Sequence, residues 1–445
     1  MTYQEFKEAV IEIAAEMQID DYELYYTESD ATIVEIFKEE IKNYKIENSM
    51  GICFRCVVNG KAGYASTENL TGEEARFLVE RALENAKSIE SADPCFLHHK
   101  GDTYAIVNDE SAVSKSVGTE LVDAAMEIQK AMYARDSRVK DGSQTNLVCQ
   151  EERYALCNSN GLDLEDKVCA TLCYASALAS DGEEMYNGGK SKIGNLRDFD
   201  LKSIASDAVE DAVSTIGAEG VDSGKYTLVL SNEVMSMLLN TYSSVFSAEE
   251  AQKGLSLLKG KEGEKIAADI ITITDDPLYK DSVLKRTFDG EGVATYAKNV
   301  VENGKLVTLL HNLKTAAIAG VTSTGNASKA SYASVVDISP FIFYLRPVGG
   351  TKEELFEAAG DGIFVTDISG LHAGANPITG DFSLLSKGFL IQGGKKTAPV
   401  KNFTISGNFF TLLKEIEKVG EDLEFLQGRY GSPSVLIRNI AVAGR

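Results

Sequence analysis

The 445-residue sequence has no tryptophan and only four histidines: His98, His99, His311 and His372. Imidazole is the usual general base and a common zinc ligand. Four scattered copies therefore narrow the available chemistry before any motif is read. No cysteine follows position 173; the seven present are Cys53, Cys56, Cys95, Cys149, Cys157, Cys169 and Cys173. An odd number in so long a chain argues against a secreted disulfide framework. No run of about 18 apolar residues occurs, which excludes a membrane-spanning helix. The opening MTYQEFKEAVIEIAAEMQ is charged throughout and lacks the apolar centre of a signal peptide. Positive charge is scarce: 44 Lys and Arg stand against 67 Asp and Glu, a net charge of −23. Neutralising phosphates requires clustered cations, so general nucleic-acid binding is not expected. These absences together predict a reduced, cytoplasmic protein with no membrane anchor.

What is present is globular. Hydrophobic residues make up 44% and charged residues 25%, and the length suits two or three domains. Phe6, Val10, Ile13, Ala14 and Met17 recur at helical spacing over residues 2–18. β-branched and aromatic residues predict strands over 22–27, 32–38 and 41–46. Residues 51–58, Asn59-Gly60 and 62–66 read as a hairpin, because Asn-Gly suits a type I′ turn. Helices are expected over 71–87 with Thr71 as N-cap, over 118–135 and over 201–216. Gly217–Gly224 reads as a linker. A short strand over 226–230 and an apolar helix over 234–242 follow. Further helices are expected over 352–359 and 409–419, with strands and tight turns between Gly370 and Gly407. Strict βαβ alternation is missing, so the expected class is α+β with mixed and antiparallel sheets. The expected domains are an N-terminal α+β domain, 1–216, and a β-rich C-terminal domain, 225–445, joined by 217–224.

The candidate chemistry is sparse. Cys53-Phe-Arg-Cys56 has C-x-x-C spacing, but it lies in an alternating strand, where positions i and i+3 point to opposite faces. Cys169 and Cys173 also sit in a strand-like run. Cys95 lies near His98 and His99, a conceivable nucleophile–base set for an autonomous peptidase. No phosphate-cradling loop is found. The nearest, Asp289-Gly-Glu-Gly292, carries two carboxylates that would repel a phosphate. Neither G-x-S-x-G nor H-E-x-x-H is present. Leu371–Ser383, LHAGANPITGDFS, is the most distinctive segment. Its polar side chains suit a cleft lining, and its Asn and Gly equally suit a tight hairpin.

An ordered series of segments carries a family resemblance. It comprises Arg286-Thr-Phe-Asp-Gly-Glu-Gly292, Glu302-Asn-Gly-Lys-Leu306, Ser323-Thr-Gly-Asn326 and Gly370–Ser383. It continues with Lys387-Gly-Phe-Leu-Ile391, Pro399-Val-Lys-Asn-Phe-Thr404 and Val419-Gly-Glu-Asp-Leu423. This series resembles the TldD/PmbA family, also labelled modulators of DNA gyrase, across essentially the whole chain. The resemblance implies a cytoplasmic metallopeptidase system in which two paralogous subunits degrade unfolded peptides between them. The catalytic TldD-type subunit holds zinc with an H-E-x-x-x-H motif on the helix after the first C-terminal strand, plus a late cysteine. Here the matching positions are Asn240, Thr241 and Val245, no histidine lies between His99 and His311, and no late cysteine exists. The resemblance is therefore to the PmbA (TldE-type) branch, with no metal in this chain and zinc expected in a TldD-type partner. It implies no catalytic residue here. His372, Asn376, Thr379 and Ser383 are the candidates for contacting peptide backbone. Whether the chain pairs with itself when the paralogue is absent stays open. A non-enzymatic role as a modulator of gyrase is the other alternative.

Overall fold

The computed structural model describes residues 1–90, 93–107 and 115–445. The chain begins with helix α1 (Tyr3–Glu16), closed by a capping box between Thr2 and Glu5. Strands β1 (Asp21–Phe37), β2 (Glu40–Val58) and β3 (Lys61–Thr67) follow. Then come α2 (Gly72–Ser88), α3 (Gly118–Arg135), β4 (Gln144–Asn158), β5 (Asp163–Ser180), β6 (Met185–Gly194) and α4 (Leu201–Val213). The six strands form one antiparallel sheet in the order β3-β2-β1-β4-β5-β6.

Four strands expected near the start are in fact two. The polar stretches 28–31 and 47–50 read as breaks, yet they face each other: Glu28 pairs with Met50, Ser29 with Ser49 and Asp30 with Asn48. Ladder hydrogen bonds carry these residues without help from apolar side chains. The reversal at Lys38-Glu39 was also hidden, because neither residue is glycine although both have positive φ. The Asn59-Gly60 turn matches its expectation, with φ of 54° and 73°. All four helices lie on one face of the sheet. Phe6 and Val10 of α1 and Leu78 and Val79 of α2 pack over Leu24, Ile52 and Phe54. Leu121 and Ile128 of α3 and Ile204 and Val209 of α4 pack over Val34, Leu147 and Cys173. The other face is left for the C-terminal half.

That half opens with β7 (Gly224–Leu230), α5 (Asn232–Tyr242) and α6 (Ala248–Gln252). It continues through β8 (Ile273–Asp275), β9 (Lys298–Glu302), β10 (Lys305–Leu306), α7 (Leu313–Ala319), β11 (Ala327–Ser328), β12 (Asp337–Ile338) and β13 (Phe343–Leu345). Next are α8 (Lys352–Ala359), β14 (Gly362–Ser369), the single turn α9 (Leu371–Gly374), β15 (Asp381–Gln392) and β16 (Lys395–Asn408). It ends with α10 (Phe409–Glu415), β17 (Ile416–Val419), β18 (Glu424–Leu426), β19 (Tyr430–Ser432) and β20 (Val435–Ala443). One sheet runs β16-β15-β14-β7-β20-β17, and β16 also pairs with β20, so five strands close into a ring. A second sheet runs β10-β9-β8-β13-β19-β18. The β7–β14 and β13–β19 pairs are parallel and their neighbours antiparallel, as the mixed α+β class requires. Between the two sheets lies the largest core among the described residues, which takes in Leu238, Leu239 and Phe246. The helix expected over 409–419 stops at Glu415. Ile416 and Val419 instead join β20 opposite Ile437 and Val435, because burial in that ladder outweighs helical continuation.

Candidate functional site

Helix α5 follows β7 with Ser231 as N-cap, its hydroxyl accepting from Val234 N. The three positions aligned with a metal motif lie at its end and do not share a face. Asn240 is exposed. Thr241 turns its hydroxyl back to Met237 O at 2.8 Å. Val245 falls in the following 3₁₀ turn, Ser243–Phe246, and is buried in the main core. An amide, a back-bonded hydroxyl and a core isopropyl group do not make a zinc site. His311 is also buried, and burial pushes its pKa below the usual imidazole range. Its Nδ1 has no hydrogen-bond partner among the described residues. Among those residues no three of His, Cys, Asp and Glu gather where they could hold a metal. Asn240, Thr241 and Val245 therefore do not fit zinc.

Segment 371–383 forms α9 and a tight return into β15. Asn376 Oδ1 accepts from the backbone N–H groups of Ile378 and Thr379, at 2.9 and 3.3 Å. Thr379 Oγ1 accepts from Asp381 N, and Asn408 Nδ2 donates to Thr379 O and to Asp381 Oδ1. Both side chains thus hold the turn. His372 and Ser383 are exposed; Ser383 Oγ accepts from Ser406 Oγ at 3.2 Å. The edge of β15 at Phe382 is already bridged by Ala375. Tyr242, stacked on Phe409 at 4.5 Å, donates its hydroxyl to Asp381 O, which ties α5 to this segment. Ser369 and Leu385, flanking the segment, line a cavity of about 280 Å³ between β6 and β14–β16. Lys387 crosses it to Asn187 O, with Asp211 and Asp367 at 3.7 and 3.8 Å. Burial raises the Asp367 carboxyl above its usual range, and Lys387 partly offsets this.

Cys95 and His98 do not pair in the described contacts. His98 Nε2 faces Asp102 Oδ2 at 2.8 Å, and that carboxylate also accepts from Ala294 N. Burial pushes the Cys95 thiol up, the opposite of an activated nucleophile. Cys53 and Cys56 sit on β2 and are both buried; all seven cysteines are free thiols.

The centre that sequence reasoning missed is ionic and joins the two halves. Arg55 on β2 donates to Glu23 on β1 at 3.1 Å and lies 3.7 Å from Glu291 of the other half. Lys329, also from that half, reaches Glu23 at 3.8 Å and lies over the Tyr25 ring at 4.1 Å. All four charged side chains are at least 95% buried. Asp289 accepts from the backbone N–H groups of Glu291, Val293 and Ala327. Burial, then Glu291, pushes its carboxyl up to about 7. The acid pair of Asp289-Gly-Glu-Gly292 thus shapes a buried turn and receives the arginine. A lone Arg within the apolar run 52–58 was the available signal, since buried arginine needs an acidic partner.

This geometry can now be set beside known proteins. Residues 22–86, 115–216 and 223–444 match the first, central and C-terminal domains of the PmbA/TldA metallopeptidases. A metalloprotease of Methanothermobacter thermautotrophicus is 29% identical over 435 residues, covering 91% of each chain. The crystal structure of a Thermotoga maritima protein described as a modulator of a DNA gyrase superposes with a TM-score of 0.91 at 30% identity, over 99% of this chain and 100% of that one. TldE from Thermococcus kodakarensis shares the fold, with a TM-score of 0.90 at 22% identity over 99% of this chain and 100% of its own. The chain belongs to the PmbA/TldD metallopeptidase family. Among its described residues, no helix is long and apolar enough to cross a membrane.

Proposed function

We propose that this chain is the metal-free subunit of a two-chain peptidase. Its partner is a TldD-type paralogue that carries zinc, and unfolded peptides are cut in the space the two enclose. The observation that carries this reading is Val245. The position aligned with the second imidazole is a core side chain, and Asn240 and Thr241 offer no ligand chemistry in its place. Such a subunit contributes walls rather than a nucleophile: it excludes water, holds extended backbone and keeps folded proteins out. His372 and Ser383, exposed on either side of the turn, would contact the peptide, and Asn376 and Thr379 would fix the turn that presents them. Cytoplasmic residence and a division into two units at 217–224 belong to the same reading.

The test is metal analysis and peptide hydrolysis with this protein alone, then mixed with a zinc-bearing TldD-type paralogue. The expected result is far less than one zinc per chain alone, with turnover only in the mixture. Replacing both His372 and Ser383 by Ala should lower that turnover. Stoichiometric zinc in this chain alone would overturn the reading.

A further inference from the structure

The helix-free face of the first sheet and segments of the C-terminal half enclose a larger cavity, about 460 Å³. That volume lies in the range of small-molecule and short-peptide sites. Tyr332 forms one wall. Its ring lies so close on β2 that a Cβ at Gly51 would come within 2.4 Å of it, and its hydroxyl donates to Glu68. The wall therefore depends on glycine at position 51. Tyr25, Thr27, Ser29, Ser49, Ser328 and Ser331 add hydroxyls to the lining.

The charges are unevenly satisfied. Of the two carboxylates that line the cavity, Glu28 lies 3.7 Å from Arg153, and Glu152 accepts from Gln150 at 2.7 Å. The lining cations are less well matched. The Arg286 guanidinium lies over the Tyr154 ring at 3.6 Å, and its nearest carboxylate among the described residues, Asp166, is 4.0 Å away. Its buried Nε has no hydrogen-bond acceptor among the described residues. Arg429 is exposed and forms no ion pair among them. Lys329, almost wholly buried, has Glu23 at 3.8 Å, beyond hydrogen-bond reach, as its nearest carboxylate among the described residues. A guanidinium held in place by an aromatic ring, with one N–H left unpaired, is pre-organised for a carboxylate. The surrounding hydroxyls and rings adapt to varied side chains. The two nearby glutamates disfavour a doubly charged phosphate and leave room for a singly charged group.

We propose that this cavity binds a peptide carboxylate, with Arg286 and Arg429 as its cationic contacts. The proposal rests on the peptide-walling reading above and adds to it a recognised chemical group. The carboxylate could come from the chain terminus or from an acidic side chain.

The experiment measures fluorescence anisotropy of a labelled Gly/Ser/Ala peptide with the full-length protein and no partner. Three forms are compared: the free acid, the C-terminal amide, and the amide with one internal Glu. The free acid should bind about tenfold more tightly than the amide, the scale of one charge-assisted hydrogen bond. Arg429→Gln, an exposed change that should leave the fold intact, should reduce free-acid binding to the amide level and leave amide binding unchanged. Arg286→Gln should do the same. Recovery of affinity by the internal Glu would assign the site to side-chain carboxylates, and no recovery to the terminus. Equal binding of all three forms, no binding of any, or a preference unchanged by both substitutions would overturn the proposal. Because no turnover is measured, it can fail while the two-chain peptidase stands, and the reverse.

Discussion

Arg55 shows what a single charge can decide. It is buried between Glu23 and Glu291, so removing it leaves two carboxylates with a lost or weakened partner. Breaking a buried pair in this way costs about 3–5 kcal/mol. Arg55→Leu should lower the urea unfolding midpoint accordingly, and a change within error would show that the pair is dispensable. Asp289 makes a pH prediction. An unfolded Asp titrates near 3.9, and in the fold this carboxyl is pushed up to about 7. Between those values the folded chain keeps a proton that the unfolded chain has lost. The stability contributed by this group therefore falls as pH rises through that window. At about 1.4 kcal/mol per pKa unit, the effect is at most roughly 4 kcal/mol. Asp289→Asn should be less stable at low pH, because its amide N–H would face the Ala327 N–H. It should also lose less stability than wild type between about pH 4 and pH 7, as read by urea midpoints across that range. These residues were only half legible in the sequence. The acids of Asp289-Gly-Glu-Gly292 stood out, but their cationic partner lies on β2 of the other half, and no local pattern links the two.

At the scale of elements, α5 could be placed from its apolar spacing, and its sequence alone showed that imidazoles were missing. What the sequence could not show is where each replaced position faces. Writing His, Glu and His back at positions 240, 241 and 245 is therefore expected to fail. The triple variant Asn240→His, Thr241→Glu, Val245→His should bind no stoichiometric zinc. It should unfold at lower temperature, because an imidazole at 245 enters the main core without a partner. Zinc content and a thermal melt check this. Turns with their own chemistry were legible, such as Asn59-Gly60 and the Thr71 cap. The long strands β1 and β2 were not, because their middle sections are polar and the backbone ladder that pairs them leaves no local pattern in the sequence. The last turn of the helix expected over 409–419 was lost for the opposite reason. Its side chains suit a helix, but a neighbouring strand offered them a buried place.

At the scale of the molecule, the segment 286–295 clamps the two halves. Phe288 packs with Tyr25, Leu156 and Leu162 of the first half. Thr287 donates twice to Asp166, and Tyr104 donates to Gly292 O. Calorimetry should show wild type unfolding in one cooperative transition. Phe288→Ala, which removes about 3–5 kcal/mol of packing, should separate it into two. A two-step wild-type profile would show the halves to be independent. The α+β class was readable from the order of elements, whereas this clamp depends on contacts between residues far apart in the chain. The ring of β7, β14, β15, β16 and β20 has a consequence for how the protein is made. Leu230 of β7 has Val435 of β20 as its ladder partner, and β20 also meets β16. During synthesis β7 emerges early and must wait, one edge uncovered, until β20 leaves the ribosome. Pairings this distant in sequence are slow to form, and uncovered strand edges invite aggregation meanwhile. Yield in the cell should thus depend on chaperone supply and translation speed more than on final stability.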